Sequence, residues 1–351
     1  MASDQSTSSG PVVLLTGGSG FLGIAILKEL LDKSSELSPR EVRVLDLNPL
    51  TYQHDKRIIF IKGDVRDKDV LLEACKGVDL LIHAAAIVDW GTKSEKEIMG
   101  VNYEGALNAI EACRDRKVKA MVFTSSLDVL FDGRPLVDVD EERPYPEKHS
   151  TSYCESKFLA EKSVLEANGE QLLTCSLRPA DIYGEGDPYH IGPLINMARG
   201  GFYVRLGNGK SRCQHVYVGN VAYAHVLAAS ALLSGNQKVQ GQAYFMTDSP
   251  PTNFFAFFDS IVEGIGYKIW PKNLWLPRGF AYGLGCISEF IAKLVRPFKK
   301  YTPKMSRFAV TYTCTDYTFN SEKARKDFGF VPRYSNQEAR DKTIEYFRSS
   351  S

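Results

Sequence analysis

The stretch Val12-Val13-Leu14-Leu15-Thr16-Gly17-Gly18-Ser19-Gly20-Phe21-Leu22-Gly23 decides how the rest of the chain is read. Val12–Thr16 is a β-branched and apolar run, the pattern of a strand buried on both faces. Glycines follow at once, and Phe21–Asp32 takes helical spacing. Glycines let the backbone turn tightly between strand and helix. They also let a pyrophosphate come against the free N–H groups of the helix start. Gly-x-Gly-x-x-Gly alone is weak evidence, but between a strand and a helix it points to a dinucleotide. A glycine-rich turn without a ligand is the plainer alternative.

Asp46 weighs against that alternative. It ends the next predicted strand, Val42–Asp46, where a carboxylate can accept from both adenosine ribose hydroxyls and would repel a 2′-phosphate. Leu47 follows, so no Arg or Lys stands ready for that phosphate, and NAD is favoured over NADP. Asp64, after the strand Ile58–Lys62, could meet the adenine or serve only as a loop carboxylate. Strand and helix patterns then alternate. Strands are predicted at Asp79–His83, Ala120–Ser125 and Leu172–Arg178, and helices at Asp67–Cys75, Glu95–Arg116 and Ser152–Asn168. The expected fold is α/β, a doubly wound parallel sheet of Rossmann type with a smaller C-terminal substrate-binding region. The nucleotide domain is assigned to 12–185 and the substrate region, interleaved with it, to 186–351.

Composition fits a globular enzyme and excludes several other classes. The 351 residues are 44% hydrophobic and 24% charged, which excludes a mostly disordered or collagenous chain. A net charge of +1 argues against a dedicated nucleic-acid binder. Seven cysteines without a Cys-x-x-Cys pair give no disulfide framework and no metal-ligand cluster, so no metal is expected. Residues 1–11 are polar, lack the basic start and apolar run of a signal peptide, and are expected to form a disordered tail.

Tyr153-Cys154-Glu155-Ser156-Lys157 opens the helix Ser152–Asn168. Residues i and i+4 share a helix face, so the phenol and the ammonium point together. A free tyrosine, with a pKa near ~10, is a poor base at neutral pH. An adjacent ammonium and an oxidised nicotinamide both favour the phenolate, which can then take a proton from an alcohol. Thr124-Ser125-Ser126 ends a strand at the edge where ligands bind in such sheets, and a hydroxyl there can hold the substrate oxygen. His83, His225 and Cys154 are read as packing residues.

Taken together, Thr16–Gly23, Asp46, Asn102, Ser126 and Tyr153-x-x-x-Lys157 resemble an extended short-chain dehydrogenase/reductase. The resemblance implies a Ser126–Tyr153–Lys157 catalytic set, with Asn102 steadying the site or a water-mediated proton relay. It implies cofactor contacts from Gly17, Gly20, Phe21, Leu22, Gly23, Asp46, Asp64, Val65, Ala84, Ala85, Tyr153, Lys157 and Pro179. Ala86-Ile87-Val88-Asp89-Trp90-Gly91, the run Arg178–Gly186 and the run Val216–His225 are similar to the 3β-hydroxysteroid dehydrogenase family. So is the segment Arg296-Pro297 through Phe328-Gly329. The implied reaction is NAD-dependent oxidation of the 3β-hydroxyl of a steroid or sterol to the 3-ketone. Isomerising members of that family carry an acidic pair in the region matching Tyr244–Ser249, where this chain has only Asp248. The alternatives are a decarboxylating sterol-4α-carboxylate 3-dehydrogenase, a nucleotide-sugar epimerase and a non-catalytic dinucleotide sensor.

From Lys268 to Arg307 nine basic residues face one acidic residue, Glu289. Within the segment 278–307, Phe280, Leu284, Ile287, Ile291 and Leu294 recur at helical spacing, close to Lys293, Arg296, Lys299, Lys300 and Lys304. The pattern suits a helix lying on an anionic membrane, and equally one that covers the substrate pocket. The expected partners are therefore a sterol or steroid, an anionic membrane surface and a second copy of the chain, with no nucleic acid. The expected location is the cytoplasmic face, either free or peripherally attached to an intracellular membrane (the endoplasmic reticulum in a eukaryote).

Overall fold

The computed structural model describes residues 10–89, 93–295 and 305–349. The readings placed on residues 1–9, on Trp90 and Gly91, and on Arg296, Pro297, Lys299, Lys300 and Lys304 lie outside them. Gly10 and Pro11, assigned from sequence to the tail, are instead fixed at the sheet. The Arg40 N–H donates to the Pro11 carbonyl at 3.1 Å, and the Arg40 guanidinium donates to the Gly10 carbonyl at 2.9 Å.

Seven strands build the central sheet: β1 (Val12–Thr16), β2 (Glu41–Asp46), β3 (Ile58–Lys62), β4 (Leu80–His83), β5 (Ala120–Thr124), β6 (Leu173–Pro179) and β7 (Gln242–Met246). Their order is β7-β6-β5-β4-β1-β2-β3, and every neighbouring pair is parallel. The order reverses between β1 and β4, which opens a crevice at their carboxyl ends.

The apolar strands alternate sides, so each feeds two cores. Val13, Leu15, Val42, Val44, Leu80, Ile82, Ala120 and Val122 face one side with Ile26, Leu27 and Leu30 of α1 (Phe21–Leu31). Leu14, Leu45, Leu81, Met121 and Phe123 face the other. There they join Leu71 of α2 (Lys68–Ala74), with α3 (Glu95–Met99) leading into α4 (Gly105–Arg116), which adds Ala106 and Ile110. Ala160 and Val164 of α5 (Ser152–Glu166) complete that side. The first side is closed by α6 (Val218–Leu233), through Val221, Ala222, Ala228 and Leu232. This is the doubly wound parallel architecture expected from sequence.

The predicted helix Glu95–Arg116 is continuous but carries a π-helical turn at Gly100–Glu104, between α3 and α4. The sheet takes its last strand, β7, from beyond the substrate-region boundary expected near 185. The C-terminal part also contributes His215–Tyr217, which pairs in parallel with Asp181–Tyr183. It adds the long helix α7 (Arg278–Val295), the helix Arg307–Thr313, and the strand Tyr317–Phe319 beside Leu136–Val139. No helix among the described residues is long and apolar enough to cross a membrane.

Candidate active site

A cleft of about 590 Å³ opens along the carboxyl ends of the strands. Its lining runs from the glycine turn past Asp46, Asp64 and Ala84–Asp89 to Ser126, Tyr153, Lys157 and Pro179–Ile182. One cleft therefore joins the fingerprint and the hydroxyl-bearing residues, which are far apart in sequence. Gly17, Gly20, Phe21, Leu22, Gly23, Asp46, Asp64, Val65, Ala84, Ala85 and Pro179 all reach it.

The glycine turn is a cradle that a side chain would fill. Gly17 has φ +72°, and a Cβ there would stand 2.7 Å from the backbone of Ala85. A Cβ on Gly23 would stand 2.1 Å from the Gly17 carbonyl oxygen. No side chain caps α1, and no acidic residue occupies its first turn, so its N-terminus faces the cleft with N–H groups available to an anion. Asp46 is already oriented: its carboxylate accepts from the Ser19 N–H at 3.0 Å and the Asn48 N–H at 2.9 Å. These groups fit a dinucleotide with a free ribose diol. Asp64, by contrast, is tied into an ion pair with Arg66, which holds its carboxyl below the usual range.

At the other end of the cleft, β5 runs out into Ser125 and Ser126, and a 3₁₀ turn follows. Ser126 donates to Asp128 Oδ2 at 2.9 Å, and its oxygen accepts from the Asp128 N–H at 3.2 Å. Thr151 caps α5 and so fixes where Tyr153 begins its turn. Lys157, one turn later and buried, donates to the Thr124 carbonyl at 2.5 Å and lies 4.6 Å from the centre of the Phe123 ring. Burial pulls its ammonium down to about 8.

The Tyr153 phenol is buried and feels the charge of Asp128. Burial and the Asp128 charge push it well above its ordinary value, and a hydrogen bond with Ser126 works the other way. The Lys157 ammonium directs one of its three N–H groups to the Thr124 carbonyl.

Asn102 sits in the π turn, buried and outside the cleft lining. Its amide donates to the Ile87 carbonyl at 3.0 Å and to Ser156 Oγ at 3.0 Å, and accepts from the Ile87 N–H at 2.7 Å. It ties the loop after β4 to α5. His83 bonds Thr16 at 2.9 Å and His225 bonds Thr124 at 2.8 Å. Burial pulls both rings down, to about 3 and about 4, so they remain neutral packing groups.

Asp248 accepts from the Tyr217 N–H at 2.9 Å and from Asn220 at 2.7 Å, and it is outside the cleft lining. Among the cleft-lining residues that sequence reading passed over are Asp128, Asp181 and His190. Asp128 follows a strand end and reads there as a turn carboxylate. Asp181 stood inside a run quoted only for its family likeness. Asp181, Cys213 and His215 bring ligand-type atoms within 4.8 Å of one another. The Cys213 thiol donates to the Thr252 carbonyl, and burial together with the Asp181 charge pushes it well above its ordinary value.

Comparison with known proteins agrees with this geometry. Residues 14–278 match the 3-beta hydroxysteroid dehydrogenase/isomerase family. The chain is 34% identical over 359 residues to the mouse (Mus musculus) protein named 3 beta-hydroxysteroid dehydrogenase type 7, covering 96% of each. It is 32% identical to the Arabidopsis thaliana 3beta-hydroxysteroid-dehydrogenase/decarboxylase isoform 1, covering 95% of this chain and 79% of that one. Among solved structures, the fold is shared with a dTDP-glucose 4,6-dehydratase from Streptomyces venezuelae with NAD and TYD bound. That likeness has a TM-score of 0.75 at 19% identity, over 96% of this chain and 97% of that one. An epimerase from Methanothermobacter thermautotrophicus shares it too, with a TM-score of 0.75 at 18% identity, over 97% and 93%. The family match and the two sequence relatives place the chain in the 3-beta hydroxysteroid dehydrogenase/isomerase family, as an NAD-dependent oxidoreductase of the extended short-chain dehydrogenase/reductase type.

Proposed function

We propose that this enzyme oxidises the 3β-hydroxyl of a steroid or sterol to the 3-ketone, with NAD as cofactor. The observation that carries the reading is the meeting of Ser126, Tyr153 and Lys157 in the cleft that also holds the glycine cradle and Asp46. NAD, when bound, supplies the hydride acceptor and a positive charge close to the reacting hydroxyl. Tyr153 receives the hydroxyl proton, Ser126 orients the oxygen, and Lys157 holds the cofactor ribose. Asn102 keeps the loop after β4 in register with α5. Apolar Ile87, Val88, Phe308 and Tyr312 line the substrate end and suit a ring system.

Asp89, Asp128 and Asp181 line the cleft together with Lys93 and His190. The Arabidopsis relative's name keeps the decarboxylating reaction as the second reading. The test is NADH formation by purified protein on a panel of 3β-hydroxysteroids that includes a 4-carboxysterol, with NADP in parallel. Turnover of the uncharged members with NAD is expected. Turnover of the 4-carboxysterol alone would transfer the reading to the decarboxylating branch, and turnover of none would end it.

Membrane contact is a further part of this proposal. α7 exposes Phe280, Ile287, Phe290 and Leu294, each more than half accessible, and none of its described residues lines the cleft. We assign that face to the surface of an anionic intracellular membrane, endoplasmic reticulum in a eukaryote, and a homodimer to the assembled state. The division into a nucleotide part, 12–185, and a substrate part, 186–351, is retained as a functional one.

A further inference from the structure

Cys213-Gln214-His215 leads into the strand His215–Tyr217. Alternate residues of an extended chain share a face, so the thiol and the imidazole stand on one side. Asp181 is the register partner of His215 on the neighbouring parallel strand, and cross-strand partners also share a face. Two strands thus bring a carboxylate, a thiol and an imidazole to within 4.8 Å of one another. Cys213 and His215 are buried, and the Asp181 side chain is only 9% exposed. The cysteine spacing does not announce this cluster, because its third member comes from another strand.

We propose that Asp181, Cys213 and His215 form a binding site for a divalent cation of the zinc class, with Asp181 Oδ2, Cys213 Sγ and His215 Nε2 as its ligands. The site does not depend on the dehydrogenase reading. As the ion arrives, the Cys213 S–H bond breaks, the sulfur–metal bond forms and the proton leaves to water, with no change of oxidation state. The thiol gives up its hydrogen bond to the Thr252 carbonyl in the exchange. One thiolate and one carboxylate then balance the +2 charge, which suits a buried site. The ion braces the strand pair at the substrate end of the cleft.

The spacing fits such an ion. Cys213 Sγ lies 3.9 Å from His215 Nε2. A sulfur and a nitrogen bound to one zinc at a tetrahedral angle stand about 3.5 Å apart, so a small side-chain movement closes the site. Asp181 Oδ1 accepts from the Tyr312 hydroxyl at 2.6 Å, whereas Oδ2 is buried with no hydrogen-bond partner among the described residues. A buried carboxylate oxygen in that state calls for a cation. His215 is held by stacking on Phe257, with ring centres 3.9 Å apart and planes 8° from parallel. Burial keeps its imidazole neutral, the form that ligates. Sulfur and imidazole select zinc or cobalt over magnesium and calcium, which take oxygen ligands. Asp181 also lines the cleft, which gives the ion its way in.

The experiment titrates the chelator-treated full chain with Co²⁺ and then with Zn²⁺. One equivalent of Co²⁺ should give a near-ultraviolet sulfur-to-cobalt charge-transfer band together with the visible bands of a four-coordinate ion. One equivalent of Zn²⁺ should bleach both and raise the thermal midpoint by about 2 °C or more. Cys213→Ser should lose the charge-transfer band and the thermal shift. Cys286→Ser, which removes an exposed thiol, should keep both. Asp181→Asn should keep the band but bind cobalt about tenfold or more weakly. NADH fluorescence titration establishes that each variant is folded, and Asp181→Asn carries the test if Cys213→Ser folds poorly. A wild type without the charge-transfer band would overturn the inference. So would a band that survives Cys213→Ser or vanishes with Cys286→Ser, or a cobalt affinity unchanged in Asp181→Asn. Each of these results leaves the dehydrogenase reading intact, because that reading is judged by NADH formation on the steroid panel.

Discussion

Tyr153 and Lys157 share one face of α5 with the cleft in front of them, and each is tuned by what lies behind it. Tyr153→Phe removes the phenol oxygen assigned to receive the substrate proton. It is expected to cut turnover by about 10²–10⁴-fold while NADH affinity, read by fluorescence titration, stays close to wild type. Asp46→Ala removes charge-assisted hydrogen bonds worth about 1.5–3 kcal/mol. Paired NADH and NADPH titrations should show NADH affinity dropping by at least tenfold and the preference over NADPH narrowing. Both side chains were legible in the sequence because their spacing is local: four residues on a helix, and the last position of a strand. Asp128 was not. A carboxylate two residues past a strand-end serine reads as a turn former. Only the fold adds Asp181 and His190 around it and turns it into a group that titrates near neutrality.

At the scale of elements, the β1–α1 turn is the most demanding piece of backbone. Gly17→Ala would meet both a left-handed φ and the Ala85 backbone at 2.7 Å. A marked drop in thermal midpoint together with lost NADH binding is expected, whereas Gly77→Ala, equally left-handed but with open space around it, should cost stability alone. The strands and helices around this turn were predicted to within a few residues, since continuous apolar strands and amphipathic helices announce themselves by period. The π turn that carries Asn102 was not, because one extra residue in a helix leaves the apolar pattern almost unchanged. The aromatic cluster of Phe131, Phe308, Tyr312 and Tyr317 was also beyond sequence reading. It joins Phe131 of the nucleotide part to three rings of the substrate part, with ring centres 4.7 to 5.7 Å from Phe131, and brings Tyr312 to the cleft.

For the whole molecule, α5 and β6 are locked by a buried ion pair. Glu161 takes Arg178 at 2.8 Å and also accepts from Tyr145 and Ser176. Burial alone would raise the Glu161 carboxyl, but the Arg178 charge and these donors hold it below its ordinary value. A carboxyl depressed in the folded state contributes stability above its unfolded value and loses it as pH falls through the folded one. Denaturant titrations should therefore show Glu161→Gln weakened by about 3–5 kcal/mol at neutral pH, with a shallower acid dependence than the wild type. On the outside, co-sedimentation with anionic vesicles should be reduced in Ile287→Asp and Phe290→Asp at unchanged NADH affinity. Equal sedimentation of wild type and variants would remove α7 as the attachment face. Strand β7 has a consequence for anyone building chimaeras. Met246 pairs with Pro179, and Gln242 with Cys175, so the C-terminal half supplies an outer stave of the cofactor sheet. A graft cut at residue 185 strips that stave and leaves β6 as a raw apolar edge. A graft cut after Met246 carries the sheet whole and exchanges, of the cleft lining, only Phe308 and Tyr312.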